Sequence, residues 1–243
     1  MDNKLIKRGI ESSMTALQNW HANITDAQYN IITIAANAIA SALQNGGKVL
    51  FTGIGKNVHC CEKLAATCAS ISIDATFFDA VHAMHGDFGM IKCNDVIVAF
   101  SKTGNTAELT TSMTYLVEHR DALAPNCKII GINFANGKVT DMSKWADILI
   151  SLPAIAEDSR NERIPTNSLL ASQLVGDNIM LAVAESIGVD FDRFRLCHPG
   201  GGLALTYAKT SDDQAKQSVE VHTAIVLSST GNVKSVSSDV AKK

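Results

Sequence analysis

The chain has 243 residues, of which 46% are hydrophobic and 19% charged, and its formal net charge is −3 at pH 7. This composition supports a sizeable core. It contains no basic stripe interleaved with aromatic residues, which argues against nucleic acid as the main partner. The N-terminus lacks the apolar segment of a signal peptide, and the longest apolar stretch, 31–43, is too short to span a bilayer. Six cysteines without framework spacing are typical of reduced thiols. We therefore expect a soluble cytoplasmic protein with no membrane partner.

Helical and strand patterns alternate along the chain. Two N-terminal helices are predicted at about 4–20 and 26–45, the second with an apolar face that includes Ile34. Five strands are predicted at 48–53, 74–78, 95–100, 127–132 and 147–152. Helices are predicted at about 57–70 and 105–120, with another after Thr166, and 79–94 reads as irregular. This alternation predicts an α/β fold with a five-stranded, mostly parallel sheet and helices on both faces. Ligands of such folds bind beyond the carboxyl ends of the strands, where Gly53 and Ser101 would converge.

The most informative segment is the loop after the third predicted strand, with the sequence SKTGNTAE from Ser101 to Glu108. Its hydroxyl groups and free backbone N–H groups gather at a helix N-terminus, where the dipole favours an anion. Gly104 permits a positive φ and lets a ligand approach the backbone closely. The loop is therefore a candidate phosphate site, with Glu108 at the end of the first helical turn. The alternative is an ordinary hydroxyl-rich turn that only caps its helix.

A second motif, GIGK from Gly53 to Lys56, ends the first strand and opens a helix. It lacks the glycine spacing of a dinucleotide-binding turn, because Val58 stands at the third glycine position, and no acidic residue closes the second strand. A nicotinamide cofactor is therefore not expected. Lys56 is placed to hold a small anionic ligand directly. Alternatively it is a solvated lysine at a helix N-terminus, where a cation is mildly unfavourable.

Two further segments contain groups suited to proton transfer. A long loop leaves the fifth strand and carries Glu157 shortly after an apolar stretch, which would hold the carboxylate near the crevice. This loop leads into a helix whose N-cap would be Thr166 or Asn167. The sequence HPGGG that begins at His198 does not fit regular secondary structure. Histidine is the side chain best suited to move protons near neutral pH, although a structural histidine at a tight turn would give the same pattern.

Together these motifs resemble the sugar isomerase (SIS) domain superfamily and, within it, the arabinose-5-phosphate isomerases. The matching segments are GIGKN at 53–57, LAATCAS at 64–70, AMHGDFGMI at 83–91, SKTGNTAE at 101–108, PTNS at 165–168, GD at 176–177 and HPGG at 198–201. They follow the family's order from about residue 48 to 203, and HGDFGM and HPGG are the most specific of them. Asn105 replaces a glutamate of the family's Ser-x-Ser-Gly-Glu-Ser/Thr loop, and Lys102 could add a phosphate contact. Departures after Glu157 and Thr166 bear on sugar specificity more than on reaction type.

The resemblance implies an aldose–ketose isomerase that interconverts D-ribulose 5-phosphate and D-arabinose 5-phosphate through an enediol, for Kdo biosynthesis, with no metal or other cofactor. The family's catalytic set falls on Lys56, Glu108, Glu157 and His198. Lys56 would neutralise charge on the enediolate oxygen, and the other three would share ring opening and proton transfer between C1 and C2. The substrate- and phosphate-binding set implied by the same motifs is Gly53, Gly55, Ser101, Lys102, Thr103, Gly104, Thr106, His85 and Ser168.

The resemblance also implies the domain organisation. One SIS domain of flavodoxin-like type would span residues 1–210, with N-terminal helices in 1–45 and the α/β core in 46–210. Long members carry a pair of cystathionine-β-synthase-type (CBS) domains after HPGG. Residues 211–243 are too few for such a domain, and they are predicted to form a tail with one strand-like run at 219–227. Because SIS domains commonly build sites across subunits, a homo-oligomer (dimer or tetramer) with a shared site is expected, and the N-terminal helices would form its interface.

Three alternatives are consistent with the same residues. An isomerase of a hexulose or heptose phosphate would use the same machinery. A sugar-phosphate-sensing SIS module without catalysis would explain the altered loop after Glu157. A metal site would involve His82 and His85, which have helical i, i+3 spacing, with His59 and His198 nearby, although no acidic or Cys partner has ligand spacing.

Overall fold

The computed structural model describes residues 3–158, 162–190 and 192–200, in which helices and strands alternate as the sequence predicts. The helices are α1 (Asn3–Ala22), α2 (Asp26–Gln44), α3 (Asn57–Ser70), α4 (Ala80–Ala83), α5 (Ala107–Leu123), α6 (Asn167–Ser186) and α7 (Asp192–Cys197). The strands are β1 (Val49–Gly53), β2 (Ala75–Phe77), β3 (Val96–Phe100), β4 (Lys128–Asn133) and β5 (Ile148–Ser151). Short 3₁₀ turns lie at Asp87–Met90 and Asp141–Lys144. The predicted C-terminal tail, 211–243, lies outside the described residues.

The five strands form one sheet in the order β2–β1–β3–β4–β5, and every neighbouring pair is parallel, which confirms the predicted architecture. β1 and β3 are buried along their whole length. Helices cover both faces of these strands, which explains the continuous apolar sequence of β3 and of Val49–Phe51 in β1. The register pairs Gly53 with Phe100, so that Ser101 follows directly at the same edge of the sheet. After β1 the chain adds β2 on one side of it and β3, β4 and β5 on the other. The carboxyl edge between β1 and β3 is therefore the switch point at which ligands bind in such folds.

Helices on the two faces of the sheet create two apolar cores. α1, α2, α3 and α6 pack on one face, and α4 and α5 pack on the other. Successive residues of β1 point to opposite cores: Phe51 contributes to the first and Leu50 to the second. Each is almost completely buried and contributes about 1.5–3 kcal/mol of hydrophobic stabilisation. The sheet is thus a rigid platform from which the loops at its carboxyl edge project.

Two local features differ from the sequence-based expectation. The stretch 79–94, predicted to be irregular, contains α4, whose first turn is capped by Asp79 Oδ1 through Val81 N at 2.8 Å and His82 N at 3.2 Å. Ile34, assigned to the apolar face of α2, is 56% exposed. The reason is that Ala35 and Ile39 take the core-facing positions of that helix, which leaves Ile34 on its outer side.

The outer surface of α1, α2 and α6 exposes many large apolar side chains. They are Leu5, Ile6, Ile10 and Met14 on α1, Tyr29 and Ile34 on α2, and Leu170, Leu174 and Leu181 on α6. Among the described residues, no helix is long and apolar enough to cross a membrane. A large number of exposed apolar side chains on neighbouring helices commonly marks an interface with another protein.

Candidate active site

The loop after β3, residues 101–106 and hereafter the hydroxyl loop, is held closed by its own side chains. Ser101 Oγ lies 2.9 Å from Thr106 Oγ1 and accepts a hydrogen bond from Gly104 N at 3.0 Å. Thr103 Oγ1 accepts a hydrogen bond from Asn105 N at 3.2 Å. Ser101 is only 3% exposed, so its hydroxyl shapes the loop, whereas Thr103 faces solvent. Of the predicted phosphate-binding hydroxyls in this loop, Thr103 is the one most accessible to a ligand.

Gly104 is required by the tight packing of the hydroxyl loop. Its φ is +73°, and a Cβ at this position would lie 2.7 Å from Thr140 Oγ1 and 2.8 Å from Asn133 Nδ2. Any other residue would therefore be strained in its backbone and would also clash with polar groups of the neighbouring connection. This close approach fixes the loop against the segment that follows β4.

Asn133 and Thr140 pack against the hydroxyl loop at Gly104. Neither is among the predicted site residues. Asn133 ends β4 and is fully buried, and its Oδ1 accepts hydrogen bonds from Ser151 Oγ at 2.8 Å and Ala135 N at 3.1 Å. Its Nδ2 donates to Thr140 Oγ1 at 3.4 Å. In the sequence, Asn133 directly follows the predicted fourth strand, just as Ser101 directly follows the third. The same pattern of a polar residue after an apolar strand could therefore have identified Asn133.

The N-terminus of α5 presents unsatisfied N–H groups beside the hydroxyl loop. Thr106 is its N-cap but makes no side-chain cap. Among the described residues, no acceptor binds the backbone N–H of Ala107, Glu108 or Leu109. Glu108 is the second residue of the helix, nearer its N-terminus than predicted, because α5 begins at Ala107 rather than near 105. Its side chain is exposed and makes no hydrogen bond or ion pair within the part of the chain that the structure describes. The helix end can therefore accept an anion next to an unengaged carboxylate.

The turn after β1 brings Lys56 to the same edge of the sheet. A Cβ on Gly53 would lie 2.7 Å from Asn57 Cβ and 3.2 Å from Phe100 O, so glycine lets α3 begin directly against the end of β3. Gly55 has a φ of +63°, a conformation that favours glycine. Lys56 then forms the N-cap of α3 with an exposed side chain. Its ammonium group is accessible to an anionic ligand at this edge.

Glu157 is buried in the long loop after β5, and both of its carboxylate oxygens accept hydrogen bonds. Lys102 Nζ donates to Oε1 at 2.6 Å. Oε2 accepts from Thr166 N at 2.8 Å, Ser168 N at 3.1 Å and Thr166 Oγ1 at 3.2 Å. Thr166 is the N-cap residue of α6, as predicted, but it makes no side-chain cap. The Glu157 carboxylate caps the helix instead, by accepting the N–H groups of Thr166 and Ser168. It thereby links the hydroxyl loop to the start of α6.

These contacts determine the charge of Glu157. Burial by itself would raise the pKa of its carboxyl group, but the hydrogen bonds from Lys102, Ser168 and Thr166 together lower that pKa to about 2. Glu157 is therefore ionised at neutral pH and is a weak base. Ser168, predicted as a phosphate ligand, is 3% exposed and contacts Glu157 in this structure.

Within one chain, His198 lies away from the carboxyl edge of the sheet. Its Nδ1 lies 2.7 Å from Phe194 O, and its ring stacks on Phe194 with the ring centroids 3.9 Å apart. The adjacent Cys197 Sγ lies 3.6 Å from Ser72 Oγ. Ser72 precedes β2, at the amino end of the strands. His198 is consequently near the sheet edge opposite the hydroxyl loop.

The other predicted histidines are exposed. His85 follows α4, and no side-chain contact joins it to the hydroxyl loop or Glu157 within the described ranges. His82 Nδ1 lies 3.5 Å from Asp79 Oδ2, and His59 Nδ1 lies 3.3 Å from Glu62 Oε2. Across residues 3–158, 162–190 and 192–200, no group of three His, Cys, Asp or Glu side chains could hold a metal ion.

A family model for the SIS domain matches residues 42–182. The chain belongs to the SIS domain family. The match runs from the end of α2 to the last turns of α6, so it includes the whole sheet, the hydroxyl loop and Glu157.

Curated relatives of this SIS chain include arabinose 5-phosphate isomerases and uncharacterized proteins. Arabinose 5-phosphate isomerase KdsD of Pseudomonas aeruginosa is 32% identical over 164 residues, which cover 66% of this chain and 47% of the relative. Uncharacterized protein RP505 of Rickettsia prowazekii is 31% identical over 205 residues, which cover 84% of this chain and 59% of the relative. The chain thus spans about half the length of the curated relatives it matches.

Solved structures share the fold over most of the chain. The c3406 protein of Escherichia coli CFT073 in complex with arabinose 5-phosphate superposes with a TM-score of 0.69 at 27% identity, covering 82% of this chain and 100% of that one. The NanR protein of Vibrio vulnificus, complexed with ManNAc-6P, has a TM-score of 0.60 at 14% identity and covers 84% of this chain and 69% of its own. The second similarity shows the fold alone.

Proposed function

We propose that this SIS chain is an aldose–ketose isomerase that interconverts D-ribulose 5-phosphate and D-arabinose 5-phosphate, within a domain spanning residues 1–210. The observation that carries the proposal is the presence of three features in loops at the carboxyl edge of the sheet. These are the uncapped N-terminus of α5 with its unengaged Glu108, the exposed Lys56, and the ionised Glu157. Similarity to KdsD and to the protein bound to arabinose 5-phosphate supports this choice of substrate.

The phosphate group of the sugar would bind at the start of α5. The free N–H groups of Ala107, Glu108 and Leu109 point out of the helix end, and the helix dipole favours a dianion there. The exposed hydroxyl of Thr103 adds a donor from the loop. Ser101 and Thr106 act indirectly, because their hydroxyls contact each other and keep the loop closed.

Proton transfer is assigned to Glu108. The reaction removes a proton from C1 of the ketose, forms an enediol, and returns a proton to C2, so it needs a base that reaches both carbons. Glu108 is exposed and unengaged, whereas the oxygens of Glu157 are occupied by four hydrogen bonds. Lys56 would neutralise the negative charge on the enediolate oxygen. Glu157 would hold the surrounding loops in place.

A neighbouring subunit would supply His198, and His85 as well, to complete the site. Within one chain His198 lies towards the opposite edge of the sheet, which is incompatible with a direct role in its own site. The exposed apolar surface of α1, α2 and α6 supplies an interface through which a second copy would pack. The proposed enzyme is therefore a homo-oligomer with shared sites.

Mixing two inactive variants tests the shared site. Lys56→Met and His198→Ala are each expected to be inactive, because each removes one group from every site. After the two proteins are unfolded together and refolded at equal amounts, random assembly gives an intact site where wild-type Lys56 meets wild-type His198 of a neighbour. We expect recovery of about a quarter of wild-type activity. If both residues served the same chain's site, the mixture would stay inactive.

The reaction itself is tested by incubating the protein with D-ribulose 5-phosphate in D₂O and following the sugars by NMR. We expect arabinose 5-phosphate to form with deuterium at C2, because the enediol takes a solvent-derived proton at that carbon. The Lys56→Met variant is the control for contaminating isomerases. A rise in Tm without turnover would indicate a sugar-phosphate sensor, and turnover of hexose or heptose phosphates alone would indicate an isomerase of another substrate. Either result would contradict the proposal.

A further inference from the structure

We propose that Lys102 is a positioning residue for Glu157 rather than a phosphate ligand, an inference that rests on the proposed isomerase function. The Lys102 Nζ atom lies 2.6 Å from Glu157 Oε1, the shortest contact that either group makes. The lysine backbone is fixed as well, since its carbonyl oxygen accepts a hydrogen bond from Phe134 N at 3.0 Å. Lys102 thus extends from a fixed backbone to the Glu157 carboxylate.

The two oxygens of Glu157 depend on different partners. Oε2 is satisfied by the N-terminus of α6, through Thr166 and Ser168. Oε1 is satisfied by Lys102, which among the described residues is the one cation within 4.0 Å of this carboxylate. The Glu157 side chain is 1% exposed and that of Lys102 is 39% exposed. The lysine therefore lies between the buried carboxylate and solvent, and without it one charged oxygen would be buried with no donor.

In this arrangement Lys102 helps to hold two loops of the site in position. The ion pair connects the hydroxyl loop, which precedes α5, to the start of α6 through a single buried carboxylate. Because Glu108 is the second residue of α5, the position of its carboxylate depends on how this loop is held. A phosphate bound at the same helix end would compete for Lys102 only by leaving Glu157 Oε1 unpaired.

Three variants and two measurements test the role of Lys102. Lys102→Met removes the charge and keeps an unbranched apolar side chain, and Lys102→Arg keeps the charge. Lys138→Met is a matched control, because Lys138 is an exposed lysine in the connection after β4, near the same edge of the sheet. The first measurement is a ¹³C NMR titration of the Glu157 carboxyl carbon, assigned by its loss in Glu157→Gln. The second is the separate determination of kcat and KM.

For Lys102→Met we expect the pKa of Glu157 to rise by about one to three units. We expect kcat to fall by about 10- to 100-fold through misplacement of the site, with KM changed by less than about two-fold. Lys102→Arg should keep both the pKa of Glu157 and kcat close to their wild-type values. Lys138→Met should change neither the pKa of Glu157 nor kcat.

An unchanged Glu157 titration in Lys102→Met would overturn the inference, as would a large rise in KM at constant kcat, which is the behaviour of a phosphate ligand. The NMR titration needs no turnover. It therefore decides the role of Lys102 separately from whether the protein proves to be an isomerase.

Discussion

Glu108→Gln is expected to lower kcat for ribulose 5-phosphate isomerisation by about 10²- to 10⁴-fold, the usual contribution of a positioned general base. The reason is that the amide keeps the size and hydrogen-bonding shape of the side chain but cannot accept the C1 proton. KM should change little, because in the proposed site the phosphate would contact the N–H groups at the start of α5 rather than this carboxylate. Steady-state kinetics and a thermal melt check both parts.

Glu118→Gln is the matched control for this experiment, because Glu118 is exposed on the same helix, well away from its N-terminus. It loses the same charge and should retain full activity. Both variants should melt within about 1–2 °C of the wild-type protein, since neither carboxylate is buried and surface substitutions change stability little. A Glu108→Gln enzyme with wild-type kcat would show that another group is the base.

Much of the fold was predictable because the central strands, β1 and β3, are buried on both faces. Such strands read as continuous apolar runs, and Val96–Phe100 is one of them. The position of Gly53 beside the end of β3 followed from the same reasoning, because parallel strands place their carboxyl ends at one edge. Helix starts were less accurate: α5 begins at Ala107, and this moves Glu108 from the end of the first turn to near its beginning.

The interactions of Glu157 could not be predicted, because they are made between residues far apart in the chain. An apolar stretch before Glu157 indicated that the residue would lie near the crevice, and the structure does bury it. No local pattern indicates, however, that Lys102 would reach it across 55 positions. The location of His198 depends on the path of the chain after α6, which local patterns do not determine. Motif order alone therefore predicts a set of candidate site residues, but it does not predict which of them are in contact.

Glu157→Gln is expected to lower the free energy of unfolding by about 2–3 kcal/mol at neutral pH. The pKa of this buried carboxyl is about 2 in the folded chain, compared with about 4.3 for an unperturbed glutamate, and each unit corresponds to about 1.4 kcal/mol. This shift sets an upper value of about 3 kcal/mol, which solvent screening of the partly exposed Lys102 ammonium reduces. The substituted amide could still accept the N–H bonds of Thr166 and Ser168, so the loss comes mainly from the missing charge. The corresponding fall in Tm for a chain of this size is about 4–12 °C. Glu162→Gln, an exposed carboxylate in the same loop, is the control and should melt with the wild type.

The pH dependence of this stability difference distinguishes a charge effect from a packing defect. The folded chain lowers the pKa of Glu157, so the ionised carboxylate stabilises the fold fully above the unfolded pKa of about 4.3. That contribution is lost as the pH falls from about 4.3 towards about 2, because both states then bind the proton equally. The difference in Tm between the wild type and Glu157→Gln should therefore be constant from pH 6 to 8 and shrink below about pH 5. A difference that stayed the same down to about pH 3 would mean that Glu157 acts through packing alone, and the ion pair with Lys102 would then contribute no net stability.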